Sequence, residues 1–171
     1  KNSDSYAQYR PHYPAELIEF IVSKVQTRDV AWDCATGNGQ AAVLLAKYFK
    51  KVMATDASEN QIKHAREKEN VSYRVSSAEK TDLKNDSADL VTVAAAIHWF
   101  KFEDFYKEVK RVSKNNGLLA VWTYDMMEIS DSIDPLIWDF YRNIVGPYWP
   151  EGRKYVEQKY ETIPFPFKEI K

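Results

Sequence analysis

The sequence lacks the features that would indicate an extracellular, membrane-spanning or nucleic-acid-binding protein. Its single cysteine, Cys34, excludes an intrachain disulfide and fits a reducing compartment. No apolar stretch approaches the ~20 residues that span a bilayer, and no secretory signal is visible. A formal net charge of −1 gives no general attraction to nucleic acid. We therefore expect a cytoplasmic protein with no evident membrane or nucleic-acid partner.

An initiating methionine is also lacking, because the chain begins at Lys1, so we expect a fragment or a processed product. The 171 residues suit one domain, and a 44% hydrophobic and 14% aromatic content is enough to build a core. We predict a single domain over 1–171. It divides into an N-terminal segment 1–27, a core 28–125 and an aromatic-rich helical segment 126–171.

Apolar periodicity alternates between strand-like and helix-like along the core. The run over Ala88–Ile97 is nearly continuous, as expected for a strand that is buried on both faces. The alternating order predicts an α/β fold, a doubly wound parallel sheet. The predicted strands are Val30–Ala35, Lys51–Asp56, Val71–Ala78, Ala88–Ile97 and Gly117–Tyr124. One predicted helix begins at Pro14, and the others cover Gly39–Phe49, Glu59–Lys68 with Ser58 as N-cap, and Phe102–Ser113.

A glycine turn joins the first of these strands to the following helix. The stretch WDCATGNGQ contains Gly37 and Gly39, which let the backbone turn sharply and approach a ligand closely. It also satisfies the G-x-G-x-x-A form of the dinucleotide fingerprint. Two ligands are then possible, a dinucleotide such as NAD(P) and S-adenosylmethionine.

Two acids bear on the choice of ligand. We expect Asp33, at the end of the first strand, to face the loop cavity, where it would repel a pyrophosphate. The same carboxylate would suit the ammonium and sulfonium groups of S-adenosylmethionine. Asp56 lies 19 residues after Gly37, where a carboxylate can bind ribose hydroxyls of either ligand.

At these residues the chain resembles the class I S-adenosylmethionine-dependent methyltransferases. The resemblance follows Asp33-x-Ala35-x-Gly37-x-Gly39, then Asp56, Ala78-Glu79, Asp89 and the AIHWF segment. With the opening YAQYRPHYP, it narrows to the type 11 group that acts on small molecules, similar to trans-aconitate methyltransferase-like proteins. Ala35 stands where the family usually has its first glycine, and alanine is tolerable there if the residue has a negative φ.

The resemblance implies a Rossmann-like methyltransferase fold that binds S-adenosylmethionine and methylates a small molecule, at a carboxylate or hydroxyl oxygen. Family members usually carry two further strands beside the fifth, so we expect C-terminal strands to be missing from this chain. The implied cofactor-binding residues are Asp33, Ala35, Thr36, Gly37, Gly39, Asp56, Ala57, Ala78, Glu79, Ala95 and Ile97. No metal site is predicted.

Acceptor contacts should lie beyond the carboxyl ends of the strands. His98 is the candidate catalytic residue, for orienting the acceptor first and as a general base second. The candidate substrate and lid residues are Tyr6, Tyr9, Arg10, Tyr13, Trp99 and Tyr124, and segment 126–171 is expected to form a substrate cap.

Two other functions stay open at this point. An NAD(P)-dependent oxidoreductase is supported by the G-x-G-x-x-A match, but it is opposed by Asp33. A methyltransferase-like binding module that has lost turnover is also compatible with the motifs, because methyl transfer needs no obligatory catalytic side chain.

Overall fold

The computed structural model describes residues 12–124 and 128–168. Three of the predicted lid residues, Tyr6, Tyr9 and Arg10, lie outside this range. The chain divides into two compact units, Lys1–Val121 and Trp122–Lys171. Within the described ranges, no helix is both long and apolar enough to cross a bilayer.

The first unit is built on an α/β sheet. Its strands are β1 (Val30–Cys34), β2 (Lys51–Asp56), β3 (Val71–Val75), β4 (Ala88–Ala94) and β5 (Ser113–Trp122), and the unit boundary falls at the last residue of β5. Its helices are α1 (Ala15–Ser23), α2 (Gln40–Leu45), α3 (Glu59–Lys63), a 3₁₀ turn over Ile97–Trp99 and α4 (Phe102–Val112).

The strand order in the sheet is β3-β2-β1-β4-β5, and β1 pairs in parallel with both β2 and β4. The doubly wound α/β fold predicted from the sequence is thereby confirmed. The order reverses between β1 and β4, because the chain runs outward through β2 and β3 and then returns to the other side of β1. A ligand of such a sheet binds at this reversal, beyond the carboxyl ends of the strands.

Burial of apolar side chains follows the sequence pattern. Leu90, Val91 and Val93 of β4 are fully buried, as the continuous apolar run predicted. Helix α4 buries one face on the sheet, and its Phe105 ring lies 6.3 Å from the Trp32 ring of β1. This packing gives the carboxyl ends of β1 and β4 a rigid support.

Two helices are shorter than predicted. Helix α2 ends at Leu45 rather than Phe49, because the amides of Lys47 and Tyr48 bond three residues back and tighten the chain into turns. Helix α3 starts after Ser58, whose hydroxyl accepts the Gln61 amide at 3.3 Å and confirms the predicted N-cap. It stops at Lys63, and the Arg66 amide bonds Asn38 O in the glycine turn at 3.1 Å. This tertiary hydrogen bond between Arg66 and Asn38 replaces a helical one and ends the helix early.

The described part of the second unit contains short helical segments joined by turns and irregular chain. Helix α5 (Asp134–Asp139) continues into a π-helical segment, Phe140–Val145, and a 3₁₀ turn, Gly146–Tyr148, and helix α6 covers Arg153–Glu157. The buried Tyr141 hydroxyl donates to Glu157 at 2.9 Å and accepts from Arg153 Nε at 2.6 Å. This polar link joins the π-helical segment to α6.

Candidate functional site

The loops that follow β1, β2, β3 and β4 enclose a cavity of about 440 Å³ at the reversal of strand order. This volume falls within the ~300–1,000 Å³ that is usual for small-molecule sites. The structure brings many of the predicted site residues together on its wall: Tyr13, Ala35, Thr36, Gly37, Asp56, Ala57, Ala78, Glu79, Ala95 and Trp99.

The glycine turn contributes backbone in an unusual conformation. Ala35, Gly37 and Gly39 all have positive φ, of 53°, 58° and 85°. The condition under which alanine is tolerable at this position, a negative φ, is therefore not met, and the left-handed backbone of Ala35 costs about 1–2 kcal/mol. Such strain persists only where the surroundings over-determine the backbone.

The two glycines of the turn serve different purposes. A Cβ at Gly37 would have Gln61 Oε1 as its nearest heavy atom, at 3.9 Å, so this backbone faces open space in the cavity wall. A Cβ at Gly39 would lie 2.2 Å from the Tyr73 hydroxyl oxygen of β3. Gly39 is therefore needed for packing, and it is not among the residues that line the cavity.

Asp56 is the last residue of β2, lines the cavity and bonds the glycine turn. Its Oδ2 accepts the Gly37 amide at 2.9 Å, and its Oδ1 accepts the Ser58 amide at 2.8 Å. Each carboxylate oxygen can accept a second hydrogen bond. The carboxylate thus orders the loop and can still accept from hydroxyl groups of a ligand.

Asp33 does not face the cavity, contrary to the sequence prediction. It is only 1% exposed, and its two oxygens accept the hydroxyls of Thr92 at 2.7 Å and Thr36 at 2.5 Å. Burial raises the pKa of the Asp33 carboxyl to about 6, against the lowering effect of the hydrogen bonds from these hydroxyls and from a backbone amide. Asp33 therefore lies behind the glycine turn, where its carboxylate accepts the Thr36 hydroxyl of that turn.

The loop after β3 brings Ala78 and Glu79 to the cavity. Glu79 Oε1 accepts the Lys101 amide, at 3.1 Å, just before α4. Farther along the loop, the buried Glu108 of α4 accepts both the amide and the hydroxyl of Thr81, each at 2.7 Å. Arg111 completes this anchor by bonding Glu108 at 2.6 Å. Although burial acts to raise the pKa of Glu108, these partners hold it below its ordinary value.

Of the site residues predicted in the segment after β4, some line the cavity and others do not. Ala95, at φ 52°, lines the cavity together with Trp99, whose side chain is 62% exposed. The 3₁₀ turn points Ile97 into the core, where it is fully buried, so its predicted place at the cofactor is wrong. The His98 ring packs 4.8 Å from that of Trp99 and is not among the residues lining the cavity.

The charge on the cavity wall has one sign. Two carboxylates, Asp56 and Glu79, line it, and no lysine, arginine or histidine does so within the described part of the chain. In a partly desolvated site, such a wall repels a pyrophosphate and attracts a cation.

Comparison with known proteins identifies the family of the chain. Residues 32–121 match the methyltransferase domain family of type 11. The chain belongs to this family. A Dictyostelium discoideum protein named as a methyltransferase is 44% identical, over 94% of this chain and 63% of its own length. A Saccharomyces cerevisiae protein named as an S-adenosylmethionine-dependent methyltransferase is 31% identical, over 77% of this chain and 49% of its own length.

Among solved structures, a type II methyltransferase from Anaeromyxobacter dehalogenans superimposes with a TM-score of 0.85 at 36% identity. The match covers 95% of this chain and 69% of that one. The chain thus has the class I methyltransferase fold, and S-adenosylmethionine is the cofactor of the family. It spans about half to two thirds of the length of the two curated relatives. The narrower similarity to trans-aconitate methyltransferase-like proteins stays a prediction.

The residues present fit S-adenosylmethionine. Asp56 and Glu79 suit a ligand that carries a sulfonium and an ammonium group, and Gly37 leaves open space where a side chain would intrude. When bound, this cofactor would supply the activated methyl group, and the loops of the chain would orient it.

Several cavity residues were missed by sequence reasoning: Asn38, Gln40, Ala41, Ser58, Gln61, Ser76 and Ser77. Most of them adjoin predicted residues, so extending each motif by a few positions past its strand would have found them. Gln61 carries no such signal, because it reaches the cavity only through the position of α3. Tyr124 follows β5 in the second unit, and its role stays a prediction.

Proposed function

We propose that the chain is an S-adenosylmethionine-dependent methyltransferase that acts on a small-molecule acceptor. The observation that carries this proposal is the acidic wall of the cavity at the reversal of strand order, with Asp56 and Glu79 and no cationic side chain among the described lining residues. Asp56 would suit the ribose of either ligand, but Glu79 adds a second carboxylate, and no cationic side chain among the described lining residues would offset the phosphate charges of a dinucleotide.

Methyl transfer from a sulfonium is an in-line displacement with a good leaving group, so the chain mainly has to align donor and acceptor. Such alignment can contribute about 7–11 kcal/mol toward lowering the barrier. The strained turn at Ala35–Gly39 and its bonds to Asp56 and Asp33 are suited to this task, since they fix the wall before a ligand arrives.

For the acceptor, we propose a carboxylate or hydroxyl oxygen near the segment after β4. A carboxylate must be held by cationic or hydrogen-bonding groups, and these would have to come from beyond the described cavity wall or from its polar side chains, because that wall carries no cation. A hydroxyl must be held and must also lose a proton. Trp99 offers an exposed aromatic face at the cavity, and His98 beside it is the proposed group for orienting the acceptor or taking its proton. Tyr13 on the cavity wall is proposed to act as a lid together with Tyr6, Tyr9 and Arg10.

Replacement of Asp56 tests the cofactor assignment. Asp56→Asn removes the charge and one of its acceptor oxygens, and hydrogen bonds to a charged group contribute about 1.5–3 kcal/mol. We expect calorimetry to show a roughly 10–100-fold weaker affinity for S-adenosylhomocysteine. Asp104→Asn is the matched control, because Asp104 is an exposed carboxylate on α4 away from the cavity. Equal affinities for the wild-type chain and Asp56→Asn would contradict the assignment.

Replacement of His98 tests the acceptor side. His98→Gln should leave the affinity for S-adenosylhomocysteine within about two-fold, because His98 does not line the cavity. Release of S-adenosylhomocysteine is then measured over a panel of carboxylate and hydroxyl acceptors. A lower turnover on the true acceptor is expected, and normal turnover by the variant would remove His98 from the mechanism.

A further inference from the structure

A chain of buried hydroxyl and carboxylate groups connects β4 to the glycine turn. Thr92 of β4 and Asp33 of β1 are register partners on neighbouring parallel strands. The Thr92 hydroxyl donates to Asp33 Oδ1 at 2.7 Å, and the Thr36 hydroxyl donates to Asp33 Oδ2 at 2.5 Å. Thr92 is fully buried, whereas Thr36 lines the cavity. The carboxylate of Asp33 therefore joins a side chain in the core to one on the ligand wall.

Thr36 is the point at which the strained turn is fixed. It lies between Ala35 and Gly37, which both have left-handed backbones. Its amide donates to Thr55 O at 2.9 Å, and its carbonyl accepts the Gly39 amide at 3.0 Å. With its backbone bonded on both sides and its hydroxyl bonded to Asp33, Thr36 holds the turn in the conformation that shapes the cavity wall.

We propose that Thr92 is a positioning residue for the cofactor: by donating to Asp33, it orients the carboxylate that anchors Thr36 and so keeps the turn at Ala35–Gly39 ready to bind S-adenosylmethionine. This inference rests on the proposed function. It assigns a role to a residue that neither lines the cavity nor belongs to the glycine motif.

The surroundings of Asp33 make this anchor sensitive to pH. The titratable groups whose charge interacts with that of Asp33 are Cys34 on β1, Asp56 on β2 and Tyr73 on β3, and none of them is a cation. Burial acts to raise the pKa of Asp33, the charge of Asp56 adds to this effect, and the bond from Thr92 opposes both.

Removing the Thr92 hydroxyl should therefore let Asp33 take up a proton at a higher pH. An ionised Asp33 accepts both threonine hydroxyls, whereas a protonated one becomes a donor itself and cannot keep the same pair of bonds. The affinity for the cofactor should then fall on acidification, and it should fall at a higher pH when Thr92 has been replaced.

The test compares Thr92→Val, which keeps the side-chain shape but removes the donor, with Thr92→Ser, which keeps the donor. Affinity for S-adenosylhomocysteine is measured by calorimetry between about pH 5 and pH 8, a range that brackets the titration of a buried carboxyl such as Asp33. We expect Thr92→Val to bind about ten-fold more weakly at neutral pH and to lose affinity at a higher pH than the wild-type chain. Thr92→Ser should restore both properties.

Thr55→Val is the matched control, because the Thr55 hydroxyl is buried in the same sheet but bonds Trp32 rather than Asp33. It should lower stability toward urea without moving the pH at which affinity is lost. If Thr92→Val binds with the wild-type affinity and pH profile, or if Thr55→Val shifts that profile equally, the positioning role is wrong while the proposed function stands. If the wild-type chain does not bind S-adenosylhomocysteine at any pH, the proposed function fails, and this inference fails with it.

Discussion

Ala35 has a left-handed backbone at a position where glycine would meet no steric cost. The strain of about 1–2 kcal/mol is partly offset because alanine loses less backbone entropy on folding than glycine does. Ala35→Gly should therefore raise the free energy of unfolding by about 0.5–1 kcal/mol, measured by urea denaturation.

Ala41→Gly is the control for Ala35→Gly. Ala41 lies in the ordinary helical backbone of α2, so its replacement should lower the free energy of unfolding by about 1 kcal/mol. A destabilisation of similar size by both substitutions would show that Ala35 is not strained.

Gly37 and Gly39 lie two residues apart and should respond differently to alanine. Gly39→Ala adds a methyl group against the Tyr73 ring to the cost of a left-handed backbone, so we expect a loss of about 2–3 kcal/mol in the free energy of unfolding. Gly37→Ala has open space and should lose only about 1–2 kcal/mol. Its methyl group intrudes on the cavity, so it should weaken binding of S-adenosylhomocysteine. Urea denaturation and calorimetry check the pair, and the reverse order of stability would contradict the packing role of Gly39.

At the scale of elements, a buried carboxylate links three strands near their amino ends, which lie opposite the cavity. Asp89 of β4 is 2% exposed and accepts the Asp29 and Val30 amides at the start of β1, each at 2.8 Å. Lys114 of β5 donates to it at 2.7 Å, and the Thr27 hydroxyl donates as well. Although burial acts to raise the pKa of Asp89, these partners hold it below its ordinary value.

Lys114→Met should leave the Asp89 charge buried without its cation and lower the free energy of unfolding by about 2 kcal/mol at neutral pH. Because the pKa of Asp89 is lowered in the folded state, its contribution to stability is present above the unfolded pKa and is lost as the pH falls through the folded pKa. The difference between the variant and the wild-type chain should therefore shrink on acidification. Lys107→Met, which breaks an exposed pair on α4, should change urea denaturation little at either pH. A difference that grows on acidification would contradict this account of Asp89.

At the scale of the whole molecule, the fold could be predicted from hydrophobic periodicity and from the order of strands and helices along the chain. The apolar run of β4 and the alternation of strands and helices suffice to predict a doubly wound sheet, because strands and helices have different hydrophobic periods and their alternating order is typical of α/β packing. The end of α3 and the direction of Asp33 depend on partners distant in sequence, Asn38 and Thr92. Local patterns do not contain such contacts, which is why the sequence misassigned these features.

The binding of S-adenosylhomocysteine by the wild-type chain tests the central claim most directly. Calorimetry should show saturable one-to-one binding of S-adenosylhomocysteine and no saturable binding of NAD⁺ at the same concentration, because the cavity presents Asp56 and Glu79 without a described cationic partner. Saturable binding of NAD⁺ in the absence of any binding of S-adenosylhomocysteine would contradict the account.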